Sequence, residues 1–180
     1  QEAYKWIKKA ADAKDPYSYG VLGIMYYQGI GTAIDLKEAY RIAKIGADYE
    51  NSEAMALLAQ MYGEGKGVPK SVIDSFEWQK KAAEKGYTSA YLGLGVMYEE
   101  GIGTFKNAKE AINWYKKANK EGNTRASSYL CSAYYKLENY TEAKKWAEIA
   151  ITKDKDAFVG YRILALLNMY GFGVPQNKNK

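Results

Sequence analysis

The chain has 180 residues, a formal net charge of +5, and contents of 47% hydrophobic and 26% charged residues. This composition permits a packed core and argues against disorder. The sequence contains no histidine and a single cysteine, Cys131, which excludes imidazole catalysis, an internal disulfide and cysteine-rich metal clusters. We therefore expect neither a metal site nor a cofactor.

The sequence predicts neither a membrane-spanning helix nor a signal peptide. No stretch approaches the roughly 20 apolar residues that a membrane-spanning helix needs. The first residues, QEAYKW, have no charged leader followed by an apolar run, so we expect no signal peptide in this chain. The compartment stays open, because the bacterial cytoplasm, the periplasm and secretion all fit these observations.

Two interleaved patterns recur along the chain. The first, Leu-Gly/Ala-x-Met-Tyr-x-x-Gly-x-Gly, begins at Leu22, Leu58 and Leu94, and less regular copies begin at Leu130 and Leu164. The second places a small residue three positions before Trp or Ile and seven before Ala or Gly; its copies begin at Ala3, Ala39, Ser75, Ala111 and Ala143. Both spacings draw one stripe along an α-helix, and repetition in a fixed register indicates a repeat protein.

We name the helices of the first pattern A and those of the second B. In chain order the patterns predict B 2–13, A 16–28, B 36–49, A 53–64, B 72–85, A 89–100, B 108–121, A 124–137, B 140–153 and A 158–170. The Gly-x-Gly segments after A helices supply the positive φ of a helix C-cap.

The helix starts are predicted by cap residues. B helices begin at a cap residue followed three positions later by an acid, the spacing of a capping box: Asp35/Glu38, Ser71/Asp74, Asn107/Glu110 and Asn139/Glu142. The expected caps of A helices are Asp15, Asn51 and Asn123.

Several residue types are assigned to the core. We call the leucine that begins each copy of the first pattern its key leucine. Small residues beside the key leucines indicate close approaches between helices. Cys131, at one of these positions, is expected to be structural rather than reactive. Met25, Met61 and Met97 are expected to fill the core. The tryptophans of B helices are expected to fill the seam with neighbouring A helices: Trp6, Trp78, Trp114 and Trp146.

The first pattern reads LGxMYxxGxG and is followed by an acid-capped helix that carries EAxxW. This combination resembles the Sel-1-like repeat, a relative of the tetratricopeptide repeat with a longer loop between its helices. The resemblance covers the chain apart from its last few residues. One copy departs from the pattern: Ala143 follows Leu130 by 13 residues, whereas Ala39 follows Leu22 by 17. That copy lacks the Gly-x-Gly loop and is similar to a plain tetratricopeptide unit.

The resemblance implies an all-α fold, a right-handed α-solenoid of stacked antiparallel helix pairs whose concave wall is lined by A helices. Stacking is also expected physically, because one helix pair cannot bury its apolar stripe alone. We expect a single repeat domain over 1–180. Its expected segments are helix B of a truncated repeat at 1–14, Sel-1-like repeats at 15–50, 51–86 and 87–122, a shorter tetratricopeptide-like repeat at 123–156, and helix A of a truncated repeat at 157–175.

The resemblance further implies a non-catalytic scaffold or adaptor that binds a peptide, loop or helix of a partner protein in the groove lined by A helices. Positions exposed in the groove of tetratricopeptide relatives were carried over by their distance from the key leucines. They predict a groove with an acidic middle and a basic C-terminal end, lined by Tyr17, Ile24, Tyr27, Gln28, Glu53, Gln60, Glu64, Glu99, Glu100, Arg125, Ser132, Tyr135, Lys136 and Arg162.

Two other functions fit the sequence less well. Adjacent Glu99 and Glu100 point about 100° apart on a helix and do not form a catalytic pair, so we expect no catalytic residues. RNA binding through the basic surface is the alternative function. The lysine pairs of the B helices lie near acids, as on a solvated helix face, and therefore no nucleic-acid partner is expected.

The first and last predicted helices lack a neighbour on one side. We expect apolar residues to be exposed there: Ala3, Trp6, Ile7 and Ala10 on the first helix, Leu164 and Leu167 on the last. Head-to-tail self-association through these helices is a further hypothesis. The chain is also expected to be a fragment of a longer solenoid.

Overall fold

The computed structural model describes residues 1–172, which contain ten α-helices and no strand. The predicted helices are confirmed, with ends that differ by no more than two residues. Gly173, Val174 and Pro175, at the end of the expected last segment, lie outside the described residues. The helices are α1 (Glu2–Asp12), α2 (Pro16–Gln28), α3 (Leu36–Asp48), α4 (Ser52–Glu64), α5 (Val72–Glu84), α6 (Ser89–Glu100), α7 (Ala108–Lys120), α8 (Ala126–Lys136), α9 (Tyr140–Lys153) and α10 (Phe158–Tyr170).

The helices form two compact units. The first, Gln1–Lys106, contains α1 to α6, and the second, which begins at Asn107, contains α7 to α10. In the first unit, α2 packs against α1, α3 and α4, while α5 packs against α4 and α6. In the second unit, α8 packs against α7, α9 and α10, and α9 also packs against α10. Each unit is thus built from helices that pack against helices one or two places away in the chain.

The key leucines Leu22, Leu58, Leu94 and Leu130 lie in the core, as the repeat pattern predicts, whereas Leu164 is half-buried. Leu58, Leu94 and Leu130 are fully buried. The small position after each leucine allows close packing: a Cβ added at Gly23 would lie 2.8 Å from Leu57 Cδ2. Cys131 is buried at one of these positions, and burial raises the pKa of its thiol to about 11, so it is inert as a nucleophile.

The predicted caps of the B helices are confirmed, but in three of the four the cap residue's own N–H finds another acceptor than the acid of the expected capping box. In each case the side chain of the cap residue accepts the backbone N–H of the residue three positions later. The cap residues are Asp35, Ser71, Asn107 and Asn139. The backbone N–H groups of Asp35, Ser71 and Asn139 donate instead to the carbonyls of Tyr26, Tyr62 and Tyr134. The preceding A helix therefore satisfies the group that the acid was expected to satisfy.

The caps of the A helices are confirmed in two cases. Asp15 and Asn51 accept N–H bonds from Ser18 and Ala54. The prediction for Asn123 was wrong, because its side chain accepts the N–H of Arg125 in a turn before α8, and Arg125 is the N-cap without a side-chain cap bond.

Several burial predictions were also wrong. Trp78 is half-buried, whereas Trp114 is buried and Trp146 packs against the core of the second unit. Trp6 is 63% exposed, which agrees with the expectation for the first helix and not with the expectation that every B-helix tryptophan fills a seam. Met97 is only half-buried. Leu167, expected to be exposed, is 1% exposed because α10 turns this side chain toward α8 and α9.

No helix within residues 1–172 is both long and apolar enough to span a membrane.

Candidate functional site

A cavity of about 540 Å³ in the first unit brings together five predicted groove residues. Residues of α2, α4, α5 and α6 line this space, which we call the α4 cavity. The predicted residues that line it are Ile24, Gln28, Glu53, Gln60 and Glu64. The α4 cavity is therefore the principal candidate site of the first unit.

The absence of a side chain at Gly93 accounts for the volume of the α4 cavity. Gly93 lines the α4 cavity, and it occupies the position before a key leucine where the other copies carry Val21, Leu57, Tyr129 and Ile163. A Cβ at Gly93 would lie 2.9 Å from Nε2 of Gln79, whose amide donates to the Ala90 carbonyl at 3.2 Å. The missing side chain leaves room that an apolar residue fills elsewhere. The signal in the sequence is a glycine at the position directly before a key leucine, which no other copy has.

Glu53 supplies an available negative charge to the α4 cavity. Its side chain is half-buried and, within residues 1–172, it has no ion-pair partner. Ser89, at a groove position carried over by its distance from Leu94, and Tyr87, which was not predicted, line the same cavity. Partial burial strengthens the attraction between Glu53 and an incoming cation, because the local dielectric is below that of water.

Glu64 is held by three partners. Lys66 Nζ lies 2.6 Å from its Oε2, Gln60 donates to its Oε1 at 2.7 Å, and the Tyr27 hydroxyl donates to its Oε2 at 2.7 Å. Together these lower the pKa of Glu64 to about 2, with Lys66 the largest cause. Such a carboxylate stays ionised at neutral pH and is poorly suited to proton transfer, so the arrangement favours binding over acid–base catalysis.

Tyr27 does not lie where the groove prediction placed it. It was expected to be exposed, yet it is 8% exposed, because its hydroxyl turns to Glu64 and its ring lies beneath Lys66. Burial, and next the hydrogen bond to Glu64, raise the pKa of its hydroxyl. Tyr27 positions Glu64 rather than offering its own surface.

A cleft of about 360 Å³ in the second unit brings together three more predicted residues, Arg125, Ser132 and Arg162. We call it the α10 cleft, because the first turn of α10 and the turn before it form one side. Asp154 and Asp156 from that turn also line the cleft, and the sequence analysis did not assign them. The expected basic character of this part of the chain is thus only half right.

The remaining predicted groove residues line neither space. Tyr17 is 81% exposed on α2. Glu99 is half-buried, and Glu100 lies 4.0 Å from Lys106 Nζ. In the second unit, the ring of Tyr135 lies 5.7 Å from that of Tyr140, and Lys136 is exposed at the end of α8. Their assignment to a binding site stays a prediction.

Many of the lysines that make the chain basic lie against aromatic rings. Lys44 and Lys81 flank Trp78, with Nζ 4.8 and 4.3 Å from the ring centroid. Lys117 Nζ lies 3.7 Å from the centroid of Trp114. These cation–π contacts give the lysines a structural role on the helix surface.

Comparison with protein families matches nearly the whole chain. The model of the Sel1 repeat matches six segments, at 1–15, 16–48, 52–87, 88–123, 127–155 and 159–180. No curated protein sequence matches the chain.

Two solved structures are similar to this chain. One is a protective antigen present in uropathogenic Escherichia coli strains that displays an SLR fold, with a TM-score of 0.82 and 28% identity over 97% of this chain and 38% of that one. The other is a Sel1 repeat protein from Oxalobacter formigenes, with a TM-score of 0.81 and 25% identity over 97% of this chain and 75% of that one. The expected fold class, an all-α solenoid of helix pairs, is confirmed. The chain spans well under half of the E. coli protein.

Proposed function

Because the chain belongs to the Sel1 repeat family, we propose that it is a protein-binding scaffold whose α4 cavity takes a basic side chain from an extended segment of a partner protein. Members of this family generally serve as scaffolds for protein interactions and are typically non-catalytic. The observation that carries the proposal is the half-buried, unpaired carboxylate of Glu53 in a cavity lined mainly by A helices.

The size and lining of the α4 cavity support a peptide ligand. Its volume lies within the range of roughly 300–1,000 Å³ typical of sites for small ligands, enough for one long side chain and its neighbours. Gln28 and Gln60 line the cavity with amide groups, which both donate and accept hydrogen bonds. A backbone segment presents the same two kinds of group, so the amides suit a polypeptide.

The charge of the α4 cavity selects the side chain. Lys66 already compensates Glu64, whereas no cation of residues 1–172 compensates Glu53. A partner arginine or lysine would provide the missing opposite charge. Nucleic acid is disfavoured at this site, because the uncompensated carboxylate of Glu53 would repel its phosphates.

The proposal is tested with an acetylated and amidated peptide, Gly-Leu-Arg-Leu-Gly, titrated against the full chain by NMR. The expected result is shifts of resonances around the α4 cavity, and a counterpart with Gln in place of Arg should bind about tenfold more weakly. Glu53→Gln should weaken binding of the Arg peptide about as much. Glu77→Gln, at an exposed position of α5, is the control for net charge.

Gly93→Leu provides a second test, because it restores the side chain that the repeat carries at Leu57. The nearest obstacle is the flexible end of Gln79, so the protein should stay folded by circular dichroism while the cavity is filled. Arg-peptide binding that survives both Glu53→Gln and Gly93→Leu would overturn the proposal. Single-stranded RNA that binds at about 150 mM salt and competes with the peptide would do so as well.

Self-association is a separate proposal about partners. It is supported by exposed apolar side chains on α1 and α10: Trp6 is 63% exposed and Met169 is 72% exposed. Light scattering over a range of protein concentrations should show a rising mass, which Trp6→Gln should reduce. A constant monomer mass would contradict it.

A further inference from the structure

We infer that the α10 cleft is a second peptide site, which takes a single glutamate or aspartate side chain flanked by apolar residues of a partner polypeptide. It goes beyond the proposed function, because it lies in the other unit and prefers the opposite charge. Four features of the cleft carry the inference: its arginines, its hydroxyls, its two aspartates and its exposed phenylalanine.

Two arginines provide the attraction. Arg125 and Arg162 both line the cleft and are exposed, and within residues 1–172 neither side chain has an ion-pair partner. The planar guanidinium group matches a carboxylate with two parallel hydrogen bonds. Ser128 and Ser132 add half-buried hydroxyl groups, which can donate to the same oxygen atoms.

Two aspartates limit the charge that the cleft accepts. Asp154 and Asp156 line it, and the Oδ1 of Asp154 accepts the backbone N–H of Asp156 at 2.9 Å, which ties both residues into the turn before α10. Their charges oppose a run of acids or a doubly charged phosphate. One carboxylate between two arginines, with neutral neighbours, is the ligand that this balance favours.

Apolar side chains complete the site. Phe158 is 78% exposed at the start of α10, and Val159 and the half-buried Tyr129 line the same cleft. Exposed aromatic surface beside arginine is characteristic of binding hot spots. A side-chain carboxylate reaches the arginines on a flexible stem, whereas a chain terminus would draw its own backbone in beside Asp154 and Asp156. We therefore assign an internal acidic residue rather than a C-terminal carboxylate.

The test uses the full chain and three short peptides, followed by NMR at resonances of residues 125–132 and 154–162. Acetylated and amidated Gly-Leu-Glu-Leu-Gly should shift these resonances, and the same peptide with Gln in place of Glu should bind about tenfold more weakly. Acetylated Gly-Leu-Gln-Leu with a free carboxyl terminus should also bind weakly. Equal binding of the Glu and Gln peptides, or tighter binding of the peptide with the free terminus, would overturn the inference.

Protein variants separate this site from the α4 cavity. Arg125→Gln and Arg162→Gln should each weaken the Glu peptide about tenfold, while the exposed Lys120→Gln, which removes the same charge from α7, should leave its affinity unchanged. Both arginine variants should bind the Arg peptide of the α4 cavity as before, so either proposal can fail without the other. An equal loss in Lys120→Gln would show a general charge effect and refute a built site.

Discussion

The α4–α5 and α8–α9 hairpins join the same kinds of helix through different connections. Seven residues, 65–71, connect α4 to α5, whereas three residues, 137–139, connect α8 to α9. Both connections end in the same way: Ser71 N–H donates to Tyr62 O, and Asn139 N–H donates to Tyr134 O. The pairing of the helices therefore does not depend on the glycine loop.

What the longer loop adds is contact with the preceding B helix. A Cβ on Gly67, at φ 77°, would lie 2.8 Å from the Leu36 carbonyl oxygen, so the loop backbone touches the start of α3. The loop also carries Lys66, which pairs with Glu64 at the end of α4. The short turn reverses the chain with Glu138 at φ 58°. The comparison of the two connections shows that the glycines of the Gly-x-Gly loop serve packing between repeats as well as the turn itself.

The largest expected effect tests this packing role. Gly103→Ala places a Cβ against the Val72 carbonyl oxygen at φ 71°, and should lower the free energy of unfolding by about 3 kcal/mol. Gly86→Ala, at φ 87° with nothing within 4 Å, should cost only about 1 kcal/mol. Urea unfolding of both variants measures the difference. Equal losses would mean that backbone conformation alone explains the glycines.

The shared end of the two connections is tested by removing their caps. Asp35→Ala and Asn139→Ala should each lower the free energy of unfolding by about 1 kcal/mol, because one helix N–H loses its acceptor. Thermal unfolding measures the loss. Asp74→Ala is the control, because the backbone N–H of Ser71 donates to the Tyr62 carbonyl, and it should cost about 0.3 kcal/mol through the helix dipole alone. If the control loses as much free energy of unfolding as the cap variants, the acid does accept the N–H of the cap residue, and the full capping box is formed.

The turn between α8 and α9 should be stabilised by glycine, the residue that adopts positive φ in the longer loops. Glu138→Gly should raise the free energy of unfolding by about 0.5 kcal/mol, because glycine adopts positive φ without strain. Glu121→Gly, at a helix end with φ −81°, should instead destabilise the protein by a similar amount. The same sign for both variants would contradict the assignment of strain to Glu138.

The smallest expected effect concerns pH. Glu64 has a folded-state pKa of about 2, below its ordinary value of 4.5, so its contribution to stability is present above pH 4.5 and is lost as the pH falls toward 2. The amount is a fraction of the shift, because the side chain is partly exposed and water screens it. NMR titration should show the pKa of Glu64 rising in Lys66→Gln. An unchanged pKa would show that the loop lysine does not stabilise the carboxylate.

Helix existence and order could be predicted from the sequence because burial of one stripe imposes a spacing of three and four residues. Leu58 and Leu94 are buried for this reason. Trp6 shows the limit of the argument, since it occupies the same repeat position as the buried Trp114 and yet is 63% exposed. Burial depends on which helix lies opposite, and for Trp6 the expected exposure came from the order of the helices and not from periodicity within one helix.

The candidate sites divide in the same way. Glu53 and Arg162 were predicted by their register on A helices, and each lines a cavity or cleft. Gln79 and Asp154 were missed, because one lies on a B helix and the other follows one. Tyr27 was placed at the surface, although its hydroxyl is turned inward to Glu64. Position along a helix predicts the face on which a residue lies, but not the partner that its side chain finds.

The sequence by itself determined ten helices within residues 1–172, their alternation, and the residues that begin most of them, because these follow from local spacing and cap chemistry. Only the tertiary structure decided that a missing side chain at Gly93 opens a cavity and that Asp154 and Asp156 lie beside two arginines. Cavities and charge balance arise between helices far apart in the chain, where distances are set by packing and not by sequence neighbours.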